Sequence, residues 1–335
     1  MTHVRAAARC IARANALAIA LFAALAFNPT DSSAAEGLDL SKPIRIIVPL
    51  TPGGGADALA RIVADEFRQA LPGSTVVVEN RPGALGVIGT AAVARAAPDG
   101  HTLVLSVAAT IAANPSLVKN LSYDPLKDFT HIARLATNGF VLVAGPESTA
   151  SSVPALVAEG KANPRKLAFA YGTTTTFVAS STFARMAGFE ALPVSYQAQP
   201  PALNGLLGGQ THFMFADYGL LAPHIKSGKI KALAVSAARR ATALPDLPTL
   251  DELGYKGFDL GSWVGLSAPA GTPPAIVQQI NTVVNKIITR EDTRLKIEAM
   301  GFDVTPISPA EFTTFVTSQI NLWTRSIRDS GVEPQ

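Results

Sequence analysis

One cysteine occurs in 335 residues, Cys10, and it lies inside a segment with the marks of an export signal. Without that segment the chain has neither a disulfide framework nor a thiolate nucleophile. Its stability then rests on an apolar core. About 300 residues supply one, commonly divided between two lobes. Histidine is also scarce. None of His101, His131, His212 and His224 has a second ligand-type residue at zinc spacing, so no metal site is expected. No Gly-x-Ser-x-Gly elbow, His-Glu-x-x-His pair or Gly-Lys-Ser/Thr phosphate loop occurs, and the sequence brings no acid and base together. No catalytic residue, no cofactor and no enzyme are expected. Charged residues make up only 16% of the chain, with a net charge of +3. Loss of Arg5, Arg9, Arg13 and Asp31 with the export segment leaves +1. No basic run remains that would suit a nucleic acid.

The N-terminus has the three parts of a secretory signal. Arg5, Arg9 and Arg13 form a basic region, Ala16 to Phe27 an apolar one, and Ser33-Ala34-Ala35 a small-x-small cleavage site before Glu36. The apolar run is too short to span a membrane as a helix. Residues 1–35 are therefore expected to be removed, and the mature chain to be exported.

The most informative run follows. Lys42-Pro43-Ile44-Arg45-Ile46-Ile47-Val48 is β-branched and apolar and reads as a buried strand. Pro49-Leu50-Thr51-Pro52-Gly53-Gly54-Gly55-Ala56-Asp57 follows. Leu59, Ile62, Val63 and Phe67 then recur at helical spacing as far as Pro72-Gly73. A helix start leaves its first N–H groups unpaired and attractive to an anion, and glycine lets a ligand approach the backbone. Three readings compete. Gly53-x-Gly55-x-x-Ala58 with Glu79 after the next strand is a loosened dinucleotide fingerprint. A tight strand-to-helix turn is the plainest reading. A small-anion site is the one favoured here. Asp57 is expected to cap the helix and brace the loop, since it would repel a carboxylate.

Strand-like stretches then alternate with helical ones: Thr75–Val78, Thr102–Ser106, Val141–Ala144, Leu167–Ala170, Thr211–Phe215 and Lys231–Ser236. That alternation predicts an α/β fold with largely parallel sheets. Near the end, Thr272 is expected to cap a helix with Pro273 at its first position. Ile276, Val277, Ile280, Val283, Val284, Ile287 and Ile288 form its apolar face. A shorter helix runs from Glu291 to Met300. Ser308-Pro309-Ala310-Glu311 is a capping box for a last helix. Its stripe, Phe312, Phe315, Val316, Ile320, Trp323 and Ile327, reads as core.

Several landmarks stand in order along the chain. After the strand and glycine loop come Val78-Glu79-Asn80-Arg81-Pro82-Gly83-Ala84-Leu85-Gly86, Pro98-Asp99-Gly100-His101-Thr102-Leu103, and Tyr123-Asp124-Pro125 with Asp128-Phe129. Leu206-Leu207-Gly208-Gly209-Gln210, Pro245-Asp246-Leu247-Pro248-Thr249-Leu250 and Ala268-Pro269-Ala270-Gly271-Thr272-Pro273 complete them. In these the chain resembles the Bug-type substrate-binding receptors of tripartite tricarboxylate transport systems, over nearly all of its mature length.

The resemblance implies a two-lobed periplasmic binding protein, each lobe a mostly parallel sheet flanked by helices, with the ligand cleft between them. Lobe one would hold residues 36–138 and 262–335, and lobe two residues 139–261. It implies a monomer that captures a small carboxylate and passes it to membrane permease subunits. A sensory protein signalling to a membrane sensor is the alternative, and a nicotinamide-dependent oxidoreductase a remote one. Carried over by position, the ligand would meet Leu50, Thr51, Pro52, Gly53, Gly54 and Gly55. It would also meet the end of a strand at Ser106 and Ala108. From lobe two would come Tyr171, Thr173, Thr174, Thr175, Phe177 and Asp217.

Relatives often carry an aromatic where Leu50 stands, a histidine where Phe177 stands, and Tyr-Lys-Gly where this chain has Tyr196-Gln197-Ala198. An imidazole and an ammonium are thus missing, which suggests a ligand with an aromatic or weakly polar far end. The threonines read either as ligand donors or as a turn that satisfies its own backbone. Asp217 reads as a helix cap, with an ammonium partner as the alternative. Arg81 reads as one half of a structural ion pair.

Overall fold

The computed structural model describes residues 37–334, and the expected export signal lies outside them. The strands, in chain order, are β1 (Ile44–Val48), β2 (Val76–Asn80), β3 (Thr102–Val107), β4 (Phe129–Gly139), β5 (Val141–Ala144), β6 (Ala168–Tyr171), β7 (Leu192–Ser195), β8 (Phe213–Ala216), β9 (Lys231–Val235) and β10 (Gly261–Pro269). The helices are α1 (Gly55–Ala70), α2 (Val87–Ala94), α3 (Asn114–Leu117), α4 (Val153–Ala162), α5 (Thr174–Ala187), α6 (Gln199–Leu207), α7 (Tyr218–Lys226), α8 (Pro274–Thr289), α9 (Glu291–Ala299) and α10 (Pro309–Asp329). None of the described helices is long and apolar enough to cross a membrane.

The strands form two five-stranded sheets, ordered β2-β1-β3-β10-β4 and β7-β6-β8-β5-β9. Each is flanked by helices, and each belongs to one lobe. In the first, β1 runs parallel to β2 and β3, while β10 is antiparallel to β3 and β4. In the second, β6 runs parallel to β7 and β8, while β5 is antiparallel to β8 and β9. Both sheets are therefore mixed, more so than the expected largely parallel arrangement. The cause is the crossing chain. β5 and β10 each enter their lobe at the hinge end and run back against the strands already there.

The registers fix which ends face the hinge. Val141, the first residue of β5, lies opposite Ala216, the last of β8. Val264, near the start of β10, lies opposite Val107, the last of β3. The carboxyl ends of the parallel strands in both sheets thus turn toward the crossover, where ligands of open α/β sheets bind.

Ser236 ties the crossing segments together. Its hydroxyl accepts from the Phe140 N–H at 2.9 Å and donates to the Leu260 carbonyl at 2.8 Å. Its own N–H reaches the Phe140 carbonyl at 2.9 Å.

Apolar burial sets the layers. Leu59, Val63 and Phe67 of α1 and Ile280, Val284 and Ile287 of α8 cover one face of the first sheet. Phe312, Val316 and Trp323 of α10 lie in a second cluster that continues into the other lobe through Phe140, Phe169, Phe183 and Phe213. Truncating a ring such as Phe67, fully buried, costs about 3–5 kcal/mol. The aromatic stripe of the last helix is therefore core, as its spacing indicates. Its capping box forms as well. Ser308 Oγ accepts from Glu311 N at 3.3 Å, and Ser308 N donates back to Glu311 Oε2 at 2.8 Å.

Thr272 does not cap α8. That helix starts one residue later, at Pro274, with Pro273 in the capping position. The paired prolines offer a hydroxyl no N–H to accept, and Thr272 Oγ1 donates instead to the Pro269 carbonyl at 2.8 Å.

Candidate ligand site

The glycine run does join a strand end to a helix start. Gly54 is the N-cap of α1, and its side-chain-free backbone leaves the helix entrance open. Gly53 sits at φ +92°, a conformation that favours glycine. A Cβ placed on Gly53 or Gly54 would meet nothing within 4 Å. Neither glycine is therefore required by internal packing. The first hydrogen bond of the helix runs from Ala58 N to the Gly54 carbonyl at 3.0 Å. The N–H groups of Gly54, Gly55 and Ala56 have no acceptor among the described residues, as a helix start dictates.

Asp57 braces this loop, as expected, though it is not the capping residue. Its Oδ2 accepts from Gly53 N at 3.0 Å, and its Oδ1 accepts from Asn80 Nδ2 at 2.9 Å. Arg61 grips it with Nε at 3.2 Å and Nη2 at 3.1 Å. Burial would raise the Asp57 carboxyl, but the donors from Gly53, Asn80 and Arg61 outweigh it and hold the group below its usual range. Asn80 also donates to the Leu50 carbonyl at 3.2 Å. The pair Asp57–Arg61 is thus neutral as a unit, and what the loop presents outward is backbone dipole. Arg81 is spent elsewhere, in an ion pair with Glu79 at 2.5 Å, so it is a structural cation as its sequence context suggests.

The second loop follows β6. Thr173 caps α5 by a reciprocal box with Thr176, with Thr176 N to Thr173 Oγ1 at 3.2 Å and Thr173 N to Thr176 Oγ1 at 3.3 Å. Thr175 Oγ1 lies 3.0 Å from Thr173 Oγ1. These hydroxyls serve their own turn. Thr174 is half-buried, and its hydroxyl is absent from that network. Phe177 packs edge-on against Tyr171, with ring centroids 4.8 Å apart, and both are partly exposed. Leu50, on the first loop, is also half-buried, while Thr51, Pro52 and Gly55 are exposed.

Three expected positions need correction. Ser106 does not face a cleft. It is fully buried, and its hydroxyl lies 2.7 Å from Ser267 Oγ, which in turn meets His131 Nδ1 at 2.9 Å. Strand alternation puts this side chain on the face that packs inside the lobe, where a polar group must find polar partners. Ala108 is also fully buried, in an irregular turn that follows β3.

The third correction concerns Asp217. It occupies the N-cap position of α7, yet its carboxylate makes no capping bond. Oδ1 accepts from Asn138 Nδ2 at 2.7 Å and Oδ2 from Gln199 Nε2 at 2.8 Å. Both oxygens act as acceptors, the pattern of the ionised form. Burial pushes the carboxyl up, and the two amides pull it part of the way back. Asn138 belongs to β4 of the first sheet and Asp217 follows β8 of the second, so this bond spans the lobes.

Neither Gln199 nor Asn138 stands in a recognisable sequence motif. Gln199 stands between Ala198 and two prolines, and nothing local marks it. Its neighbourhood is nonetheless that of the second loop. A Cβ on Gly172 would lie 2.2 Å from Gln199 N, so the two backbones are in direct contact.

The glycine loop and the threonine loop share no hydrogen bond; they stand at the carboxyl edges of different sheets. Two surface cavities, of about 740 and 330 Å³, lie elsewhere. One is lined by residues such as Tyr123, Leu126 and Ile320, the other by Lys161, Arg185 and Phe189. The loop chemistry marks the candidate site, since neither cavity includes the free N–H groups. The histidines hold structural bonds: His101 Nε2 to the Asp39 carbonyl at 2.8 Å, and His212 Nδ1 to Ala168 N at 3.1 Å. No metal-ligating cluster is found among the described residues.

Comparison with known proteins settles the family. Residues 59–332 match the tripartite tricarboxylate transporter family receptor. The chain belongs to this receptor family. Protein BugT of Bordetella pertussis is 33% identical over 296 residues, covering 88% of this chain and 90% of that one. Among solved structures, R. palustris Rpa4515 with adipate superposes with a TM-score of 0.81 at 29% identity, covering 89% of this chain and all of that one. MatC from Rhodopseudomonas palustris with bound malate gives 0.75 at 30% identity, covering 85% and 98%. The family is one of binding receptors, and its two-lobed fold matches the pair of mixed sheets described above.

Proposed function

We propose that this protein is a periplasmic receptor that captures a small carboxylate and delivers it to a tripartite tricarboxylate-type permease. The observation that carries the reading is the row of unpaired N–H groups at Gly54, Gly55 and Ala56, open to the outside. Such a row holds an anion without a buried counter-charge. The nearby cations agree, because Arg61 and Arg81 are already paired. The carboxylates bound by two solved relatives, adipate and malate, support the same class of ligand.

In this reading the ligand's carboxylate docks on the glycine loop of lobe one, residues 36–138 with 262–335. Lobe two, residues 139–261, closes from the far side with Tyr171, Thr174 and Phe177. The closed form is what the permease recognises. Ligand stabilises closure only through its extra affinity for that state. No covalent step is required. The rings of Tyr171 and Phe177 and the absence of a lysine at Gln197 favour a ligand whose far end is aromatic or weakly polar. The protein acts as a monomer, exported by its N-terminal signal.

A thermal-shift screen tests this, with aliphatic mono-, di- and tricarboxylates, aromatic acids, amino acids, nicotinamide and NAD. A ligand at 100 times its dissociation constant adds about 2.7 kcal/mol of stability. A shift confined to one carboxylate class is the expected result, with compaction in solution scattering on adding that compound. A shift with NAD alone would return the glycine loop to the dinucleotide reading.

A further inference from the structure

We propose that Gln199, held by Asp217, reads the far end of the ligand and takes a neutral polar group there in preference to a second carboxylate. This rests on the carboxylate-receptor reading above and names the chemistry of its second subsite.

The orientation of the Gln199 amide is fixed by one neighbour. Its Oε1 accepts from Asp217 N at 3.0 Å, and its Nε2 donates to Asp217 Oδ2 at 2.8 Å. A flipped amide would face donor with donor and acceptor with acceptor, so only one assignment satisfies both bonds. One N–H and one lone pair of the amide then remain, on a side chain that is only half-buried.

The place of this amide is equally defined. Gln199 opens α6 at the carboxyl edge of the second sheet, against the backbone of Gly172 in the threonine loop. The next residues, Pro200 and Pro201, bring no N–H to the first turn. This helix start therefore lacks the donor row that α1 has. The Gln199 N–H is the one backbone donor left in this turn, and the side-chain amide adds a second.

Charge decides which group fits. Asp217 has no salt-bridge partner among the described residues; its acceptors are served by two neutral amides. A second ligand carboxylate beside Gln199 would face that charge in a partly desolvated corner. A carboxamide, carbonyl or hydroxyl would take the free N–H without the repulsion. Gln199 is thus a specificity residue, and Asp217 is the positioning residue behind it.

The test is titration calorimetry on the protein with matched probes that differ only at the far end. The pairs are succinate and succinamate, adipate and adipamate, terephthalate and terephthalamate. In the pair that fits the cleft length, the monoamide should bind about 5–10 times more tightly than the diacid. Gln199→Ala should weaken the monoamide more than the diacid and so remove most of that advantage. Asp217→Asn should narrow the ratio as well. A structural role alone would weaken both probes together and leave the ratio unmoved. Equal or tighter binding of the diacid in every pair overturns the inference and leaves the receptor reading intact. So does a Gln199→Ala loss shared equally by both probes. Binding by no probe at all counts against the anion loop itself, and the inference falls with it.

Discussion

Asn138 Nδ2 donates to Asp217 Oδ1 at 2.7 Å, and this bond joins the two sheets across the hinge. Asn138 is almost fully buried, so water does not readily replace it. Removing a donor from a half-buried carboxylate leaves a desolvated acceptor, at a cost of about 1–3 kcal/mol. Asn138→Leu should lower the unfolding midpoint accordingly. Asp217→Asn should cost less in that background than in the wild type, because the partner is already gone. A double-mutant cycle on chemical denaturation gives the coupling, expected above about 0.5 kcal/mol. Additive losses would mean that the bond contributes nothing between the lobes.

The two kinds of glycine near the first loop should separate cleanly. Gly54 lies in open space with an extended backbone (φ −83°, ψ 168°) that a side chain tolerates. Gly54→Val should leave thermal stability within about 0.5 kcal/mol and abolish the carboxylate-induced shift. Gly86 is different. It sits at φ +83°, and a Cβ there would lie 2.6 Å from Thr110 Cγ2 and 3.0 Å from the Pro49 carbonyl. Gly86→Ala should destabilise by about 1–3 kcal/mol. The pair of melts, with and without a bound carboxylate, distinguishes a ligand-facing glycine from a packing glycine.

What local pattern encodes was legible in the chain. β1 is a run of β-branched residues, the Ser308–Glu311 box is a four-residue signature, and the glycine run must punctuate a strand and a helix. β4 and β10 were not legible. Their residues mix apolar positions with Thr130, His131, Arg134 and Asn138, and their pairing joins segments far apart in sequence. The same holds at the site. Asp57 could be read as a brace because its partner Gly53 is four residues away. Asp217 reads as a cap because only its position before a helix is local. Its true partners, Asn138 and Gln199, arrive through tertiary structure. The family resemblance puts Ser106 at a cleft, but the pleat turns its hydroxyl into the core toward Ser267.

His131 gives the protein a defined acid weakness. Burial lowers its imidazole from 6.5 to about 4. The folded protein keeps the ring neutral where the unfolded chain would take up a proton. The unfolded state thus binds more protons between these values, and acid favours it. The contribution is full above pH 6.5 and is lost as pH falls toward 4, roughly 3 kcal/mol over the window. His131→Phe removes the titration while keeping a ring beside Phe312, whose centroid lies 5.5 Å away. Unfolding free energies between pH 7 and 4.5 should fall steeply for the wild type and less for the variant. Parallel curves would assign the acid loss to other groups.

The threonine loop offers a sharper functional test, because neighbouring hydroxyls have different duties. Thr173 and Thr176 satisfy each other's backbone at the start of α5. Thr173→Val removes the cap and should cost about 1 kcal/mol of stability. Thr174 is outside that exchange and remains half-buried at the loop. Thr174→Val keeps the shape and removes only a donor, so stability should hold. If Thr174 meets the ligand, affinity for the carboxylate found in the thermal screen should fall about 5–10-fold. Melting curves without ligand and titrations with it separate the two roles. An unchanged affinity in Thr174→Val would make the whole run a turn and shift the second grip to Gln199 and the rings of Tyr171 and Phe177.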